Sequence, residues 1–317
     1  MLRTLQLVTT RRPFFDQQVE TLERNGVSCT VVAVPGGTRE RSPVDYARFY
    51  GRVLRTAATG DFDLVHANYG LTAPAALAQP VRPVVCSLWG SDLLGSFGAV
   101  SERCAAHAEA VVVMSDEMAD RLDRSAAVVP HGIDTERFAP EPRTEALEAV
   151  GWDPDAAHVL FPYDAARSEK NFPRAERVVG RARDAVDRPL ELHAVSGVPH
   201  ERVPTYMNAA DALLLTSDRE GSPNAVKEAL ACALPVVATP VGDVPSLLAG
   251  LDASAVGETD AELADALVAA VRTDDPDGRE RARELGLDRM ADRLLSVYDR
   301  VLDRDVTDRA VEREVVA

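Results

Sequence analysis

Short apolar runs alternate with helix-length amphipathic stretches along most of the chain. Leu2–Thr9 has the pattern of a buried strand, Pro13–Asn25 that of a helix closed by Gly26, and Ser28–Val34 that of a second strand closed by Pro35, Gly36 and Gly37. Further strands are expected near Asp63–His66, Pro83–Leu88, Ala110–Met114 and Ala126–Val129, each separated by a segment of helix length. A charged, proline-containing stretch from Pro130 to about Gly151 reads as a linker. A second set of strands then follows near His158–Pro162, Pro189–Ala194, Ala212–Thr216 and Pro235–Ala238, and from about Asp260 the pattern is helical to the end. Strand–helix–strand order repeated in two blocks predicts an α/β chain of two Rossmann-like, doubly wound domains, 1–142 and 143–286, with ligands at the carboxyl ends of the strands.

Composition narrows this. The chain has 317 residues, 46% of them hydrophobic, enough for two ordinary cores. No apolar run approaches the roughly 18 residues of a membrane span, and the start, MLRTLQLVTTRRPFF, has too short an apolar segment for a signal peptide, so a cytoplasmic protein is expected. Cys29, Cys86, Cys104 and Cys232 form no C-x-x-C pair, which predicts reduced core thiols with neither disulfide nor structural zinc. The net charge is −16, and Lys170 and Lys227 are the only lysines; this acidic, lysine-poor composition predicts a surface adapted to high salt and argues against nucleic-acid binding. Residues 1–60 are nonetheless basic, with nine Arg against five acidic residues.

The most informative segment is Leu213–Leu248, LLLTSDREGSPNAVKEALACALPVVATPVGDVPSLL. Ser222-Pro223 reads as a helix opening, with a hydroxyl to cap and a proline where a missing N–H costs nothing. Glu220 then lies in the loop and Glu228 about one turn into the helix, on the face shared with Asn224 and looking toward a helix mouth that favours an anion. Lys227, offset by about 100°, is expected to face solvent.

Glu220-x7-Glu228, followed by Ala231-Cys-Ala-Leu-Pro-Val-Val-Ala-Thr and Pro240-Val-Gly-Asp-Val, resembles the retaining glycosyltransferases of family four, which have the two-domain GT-B fold with a cleft between the domains. The resemblance implies that Glu228 holds the ribose of a UDP- or GDP-sugar and that Glu220 contacts the donor sugar. It also implies that the last helix, about 287–317, packs back on the first domain. Arg167-Ser-Glu-Lys170 is similar to the family's R-x-x-K or R-x4-K phosphate clamp, in which paired cations stabilise the leaving diphosphate without a metal. Ser222 and Asn224 belong to the same donor segment, Val198 lies where relatives hold the base through backbone groups, and Gly242 would let backbone approach the donor. His200, beside Val198, reads as an ordinary loop histidine.

The first domain resembles the family less. Pro130-His-Gly-Ile-Asp-Thr-Glu-Arg-Phe138 is similar to P-N-G-V-D-x-x-x-F and reads as structural, while Gly90-Ser91-Asp92 is similar to H-G-S-D, making Asp92 a candidate donor contact. Trp89 stands where many members have the histidine that contacts the donor sugar. His66, ending a strand, is a candidate contact to donor or acceptor. Asp61-Phe62-Asp63 precedes a strand, whereas the metal-binding D-x-D of the GT-A transferases follows one, so no metal is expected there. Arg48, Arg52 and Arg55 line one helical face, which reads as a solvated charged face or, alternatively, as one suited to an anionic lipid-linked acceptor or to the inner face of an acidic membrane.

The sequence thus predicts a metal-independent, retaining glycosyltransferase of polysaccharide biosynthesis, with no cofactor beyond its nucleotide-sugar donor and a glycan or lipid-linked acceptor. The alternatives are a binding-only partner subunit in which Trp89 has closed the sugar pocket, or a nucleotide-sugar epimerase or hydrolase on the same fold.

Overall fold

A computed structural model of the chain describes residues 1–36, 41–273 and 276–303. It divides into two compact units, Met1–Gly132 together with the chain from Leu287 on, and Ile133–Gly286.

Unit 1 runs β1 (Leu2–Val8), α1 (Pro13–Arg24), β2 (Val27–Ala33), α2 (Pro43–Thr59), β3 (Leu64–Asn68), α3 (Ala73–Ala78), β4 (Val84–Ser87), α4 (Gly98–Ala105), β5 (Ala110–Val113), α5 (Asp116–Asp120) and β6 (Ala127–Val128). Its six strands pair in parallel in the order β2-β1-β3-β4-β5-β6. β1 pairs with both β2 and β3, so the direction of winding reverses between β1 and β3, which is where such sheets open a crevice at their carboxyl ends.

Unit 2 runs α6 (Arg143–Val150), β7 (Ala157–Phe161), α7 (Phe172–Ala182), β8 (Leu190–Ala194), α8 (Val203–Ala209), β9 (Ala212–Leu215), α9 (Asn224–Ala231), β10 (Val236–Ala238), α10 (Val244–Leu248), β11 (Ala255–Val256), α11 (Asp260–Val271) and α12 (Gly278–Arg283). The parallel order is β11-β10-β9-β7-β8, with the reversal between β7 and β9. Successive residues face opposite layers. Ala157, Val159 and Phe161 join Ala212 and Leu214 in one core with α7 and α11, whereas Leu160, Leu213 and Leu215 join α9 and α10 in the other.

The last helix, α13 (Leu287–Val301), packs into the core of unit 1 through Met290, Leu294, Leu295, Val297 and Tyr298. The expected extension of this helix to 317 falls after residue 303, outside the described residues. The boundary expected at 142 lies instead at Gly132. Ile133 and Phe138 are buried in the core of unit 2, where Ile133 bridges Gly286 and Phe138 accepts from Arg279 through its carbonyl. The stretch read as a linker contains α6, closed by Gly151 in the left-handed conformation.

Candidate functional site

The donor-type residues of unit 2 gather at the carboxyl ends of β7 and β9, on either side of the sheet's reversal. The loop after β7 ends at Asn171, held in a left-handed conformation (φ 55°) and tied to the loop after β9 by its amide bond to Asp218, 2.9 Å. The buried Thr216 hydroxyl donates between the carbonyls of Lys170 and Asn171, at 3.1 and 3.0 Å, and Asp218 N–H donates to Glu169. This stitching presents Lys170 to Glu220. The Lys170 ammonium donates to Glu220 Oε1, which also accepts from the Ser217 hydroxyl at 2.8 Å. It lies 3.9 Å from the centre of the Tyr163 ring, a cation over a π face, and the Arg167 guanidinium lies 5.7 Å from the same ring.

Burial lowers the Lys170 pKa from its ordinary range, against the opposing pull of Glu220. Burial, followed by the charges of Glu220 and Glu228, raises the Tyr163 phenol well above its usual value. Arg167 is exposed and forked onto Glu169 at 2.6 and 2.9 Å. Both halves of the expected phosphate clamp therefore flank one aromatic ring. Tyr163 was not singled out in the sequence; its signal is its place just after the first strand of the block, beside the reversal.

Glu228 projects from α9 and meets His200, Oε1 to Nε2 at 3.1 Å. That hydrogen bond, outweighing burial, raises the His200 pKa above 6.5. His200 is thus the partner of Glu228 rather than an ordinary loop histidine, and it brings in the loop after β8, in which Val198 lies partly buried after Gly197 (φ 71°). Asn224 Oδ1 and His200 Nδ1 are buried without a hydrogen-bond partner among the described residues, as atoms reserved for a ligand would be.

The helix begins one residue later than expected. Pro223 is its N-cap and no side chain caps it. The Ser222 hydroxyl instead sits beside Asp243, whose carboxyl is pushed up to about 6 by burial, against the favourable charge of Lys227 and the nearby hydroxyl. Gly242 has φ 55°, and a Cβ there would lie 2.3 Å from the Gly221 carbonyl oxygen and 2.9 Å from that of Glu220. The close approach it permits is therefore to the Glu220 loop itself, which accepts from Asp243 N–H at 3.2 Å through Gly221. Lys227 is not solvent-facing. It is fully buried, its pKa lowered to about 8 by desolvation against the favourable charges of Asp243 and Glu228.

Two expectations in unit 1 are corrected. His66 does not open onto a ligand surface. It is fully buried in β3, with Nδ1 2.7 Å from the Tyr298 hydroxyl of α13 and Nε2 2.6 Å from Ser87 Oγ; desolvation lowers its pKa to about 3. Asp92 is also fully buried, and its oxygens accept from the backbone N–H groups of Gly70 (2.7 Å) and Trp89 (2.8 Å). Its carboxyl pKa, raised to about 6 by burial against those bonds, belongs to a group that fastens two loops rather than one offered to a sugar.

Trp89 itself stands among Phe14, Phe15, Tyr69 and His131, with ring centroids 5.0 to 6.1 Å away, and its buried indole N–H has no hydrogen-bond partner among the described residues. Asp61 and Asp63 both bind Arg3 at the start of β1, Asp61 through the guanidinium at 2.6 Å and Asp63 through the backbone N–H at 2.7 Å. Arg48, Arg52 and Arg55 are exposed on α2, Arg48 3.7 Å from Asp45.

Comparison with known proteins gives a consistent picture. The family model for Glycosyltransferase Family 4 matches residues 5–137, and that for Glycosyl transferases group 1 matches residues 173–273. A Bacillus subtilis glycosyltransferase named for teichuronic acid biosynthesis, TuaC, is 30% identical over 246 residues, covering 68% of this chain and 62% of the relative. A D-inositol 3-phosphate glycosyltransferase of Catenulispora acidiphila is 27% identical, covering 68% of this chain and 64% of the relative. The chain thus spans less than two thirds of the length of these relatives. Among solved structures, sucrose-phosphate synthase from Thermosynechococcus elongatus superimposes with a TM-score of 0.77 at 15% identity, over 96% of this chain and 100% of that one. Anabaena HepE in complex with UDP-glucose superimposes with a TM-score of 0.66 at 14% identity, over 94% and 100%.

Proposed function

The chain belongs to the group 1, family 4 glycosyltransferases with the GT-B fold, and from that premise we propose that it moves a sugar, with retention, from a nucleoside-diphosphate sugar to a glycan or lipid-linked acceptor. The observation that carries this reading is the convergence of Lys170, Glu220 and Arg167 on Tyr163, with Glu228 on α9 and His200 in the loop after β8.

In this reading Arg167 and Lys170 take the diphosphate. As the bond between the anomeric carbon and the phosphate oxygen breaks, negative charge grows on the leaving group, and two cations, the buried Lys170 and the exposed Arg167, stabilise it without a metal. Lys170 is already desolvated and pre-positioned by Glu220, so little reorganisation is needed at the moment of transfer. Glu228, steadied by His200, accepts from the ribose hydroxyls, and Glu220 accepts from a hydroxyl of the sugar. The acceptor hydroxyl attacks the face that the leaving diphosphate vacates, and the diphosphate takes its proton, so no separate protein base is required. UDP-glucose, the ligand of the HepE structure, is the first donor to try. Two relatives are named for teichuronic acid and for inositol 3-phosphate, and an acidic acceptor suits the exposed arginines of α2.

A binding-only role is the second reading, favoured by Trp89 and Asp92: the loop that holds a histidine in many relatives offers an enclosed indole, and its carboxylate is committed to backbone. Incubation with UDP-[14C]glucose and membrane-derived lipid-linked glycans separates the two. Label in the acceptor, in a linkage of the donor's own anomeric configuration by NMR, supports transfer; donor binding with neither transfer nor hydrolysis supports the second reading.

A further inference from the structure

A separate cluster lies on β7 and β8 of unit 2, within the strands rather than in the loops that follow them. His158 is the second residue of β7, and its register partner on the edge strand β8 is Glu191; His193, two residues on, shares the face of Glu191. His158 Nδ1, His193 Nε2 and Glu191 Oε2 form a triangle with sides of 3.0 Å, 3.4 Å and 3.7 Å. Three ligand atoms on a tetrahedral zinc, with bonds of about 2.0–2.1 Å, stand about 3.3 Å apart. The observed triangle brackets that spacing, and an ion at bonding distance from all three corners would lie close to its plane.

We infer that His158, His193 and Glu191 form a binding site for one zinc-class divalent cation.

The orientation of each group supports it. His158 Nε2 lies 2.8 Å from the carbonyl oxygen of Asp153, which can only accept. Nε2 therefore carries the proton and Nδ1 turns its lone pair into the triangle, the arrangement by which a backbone carbonyl fixes a ligating imidazole. His193 is held by Trp152, stacked at 3.8 Å with an interplanar angle of 14°. Without metal its Nε2–H donates to His158 Nδ1. On binding, that proton is lost from Nε2 and the ring takes one up at Nδ1, with no change of charge.

Glu191 supplies the anionic ligand and, with 45% of its side chain exposed, the route of entry and a place for a coordinating water. Two imidazoles and one carboxylate are a nitrogen–oxygen set suited to zinc, whereas calcium and magnesium prefer oxygen alone. Because His158 sits near the amino-terminal end of β7, and Tyr163, Arg167 and Lys170 follow its carboxyl end, the ion would pin the edge strand and the Asp153 turn rather than join the transfer.

The test is zinc competition against a chromophoric chelator, using the untagged chain, followed by zinc content after desalting and a thermal scan. The parent is expected to hold one equivalent, and Tm to rise by about 5–10 °C at free zinc near a hundredfold above Kd. His193→Gln should abolish the bound equivalent and Glu191→Gln should weaken binding at least about tenfold. Glu191 lies at the surface, so its variant reports even if the histidine variant does not fold. A parent that retains no zinc, or retention unchanged in Glu191→Gln, overturns the assignment.

Discussion

The Lys170 ammonium donates to the Glu220 carboxylate while lying 3.9 Å from the centre of the Tyr163 ring, so the one lysine of the expected phosphate clamp is buried, paired and aimed. Removing it takes away transition-state stabilisation: Lys170→Ala is expected to lower kcat/KM about 100-fold or more in a donor-turnover assay. It also leaves a part-buried carboxylate without its cation, at a cost on the order of 3 kcal/mol in denaturant unfolding. Lys170→Ala/Glu220→Gln should recover much of that stability and none of the activity. Near-parental turnover in the single variant would show that the lysine serves only to satisfy Glu220.

Gly242 tests whether the Glu220 loop is shaped from behind. Alanine there must adopt φ near 55° and place its Cβ 2.3 Å from the Gly221 carbonyl oxygen. We expect Gly242→Ala to lose about 2–4 kcal/mol, from left-handed strain and displaced backbone, and donor affinity to fall at least about tenfold. Urea melts and donor titrations read the two effects separately; unchanged donor affinity in a folded variant would mean that the loop position is irrelevant to binding.

The two histidines predict opposite pH dependences. His66 has a folded pKa near 3 against 6.5 when free, so the unfolded chain binds the extra proton. Its contribution is present above 6.5 and is lost as pH falls toward 3. The Tm gap between parent and His66→Ala should therefore narrow on acidification. His200 has a folded pKa raised above 6.5 by Glu228, so its contribution is full below 6.5 and lost as pH rises through the raised value. The gap between parent and His200→Ala should narrow as pH climbs from 5.5 to 9. Paired thermal scans below pH 6.5 for His66, and from 5.5 to 9 for His200, check both signs. At neutral pH His66→Ala costs about 2–4 kcal/mol, since it takes the ring partner from the Ser87 hydroxyl and leaves the Tyr298 hydroxyl with Gln6 alone, but leaves donor affinity intact.

The exposed arginines of α2 predict salt-dependent adhesion to anionic surfaces. Replacing Arg48, Arg52 and Arg55 together with alanine should reduce binding to phosphatidylglycerol vesicles by on the order of 3 kcal/mol, at about 1 kcal/mol per residue, with little effect on soluble donor binding. Vesicle co-sedimentation at two salt concentrations checks this, and identical salt dependence in parent and variant would remove α2 as a docking face.

The fold was readable because buried parallel strands are short continuous apolar runs, and β1, β5 and β9 fall within a residue or two of their expected bounds. β11, with two residues, is too short to leave a pattern, and α6 was hidden in a stretch whose proline and charges suggested a linker. The candidate residues were legible where a short segment carries its own pattern: Lys170 and Glu220, each singled out within its own segment, meet although 50 positions separate them. The site was illegible where long-range packing decides a side chain's surroundings. His66 is claimed by Tyr298, 232 positions away, and Asp92 by the N–H of Gly70 across a loop. Lys227, judged exposed from its helical angle, is buried because α9 is covered on more of its circumference than an amphipathic helix of two layers would be.

Calorimetric titration of UDP, GDP, UDP-glucose and GDP-mannose into the parent and Glu228→Ala, at molar salt to suit the acidic surface, tests the donor site most directly. One nucleotide-sugar should bind with 1:1 stoichiometry, and the substitution should weaken it at least about 100-fold, because a carboxylate accepting two ribose hydroxyls is lost. Equal affinity in a well-folded Glu228→Ala, or no binding of any nucleotide by the parent, would contradict the donor site and with it the transferase reading.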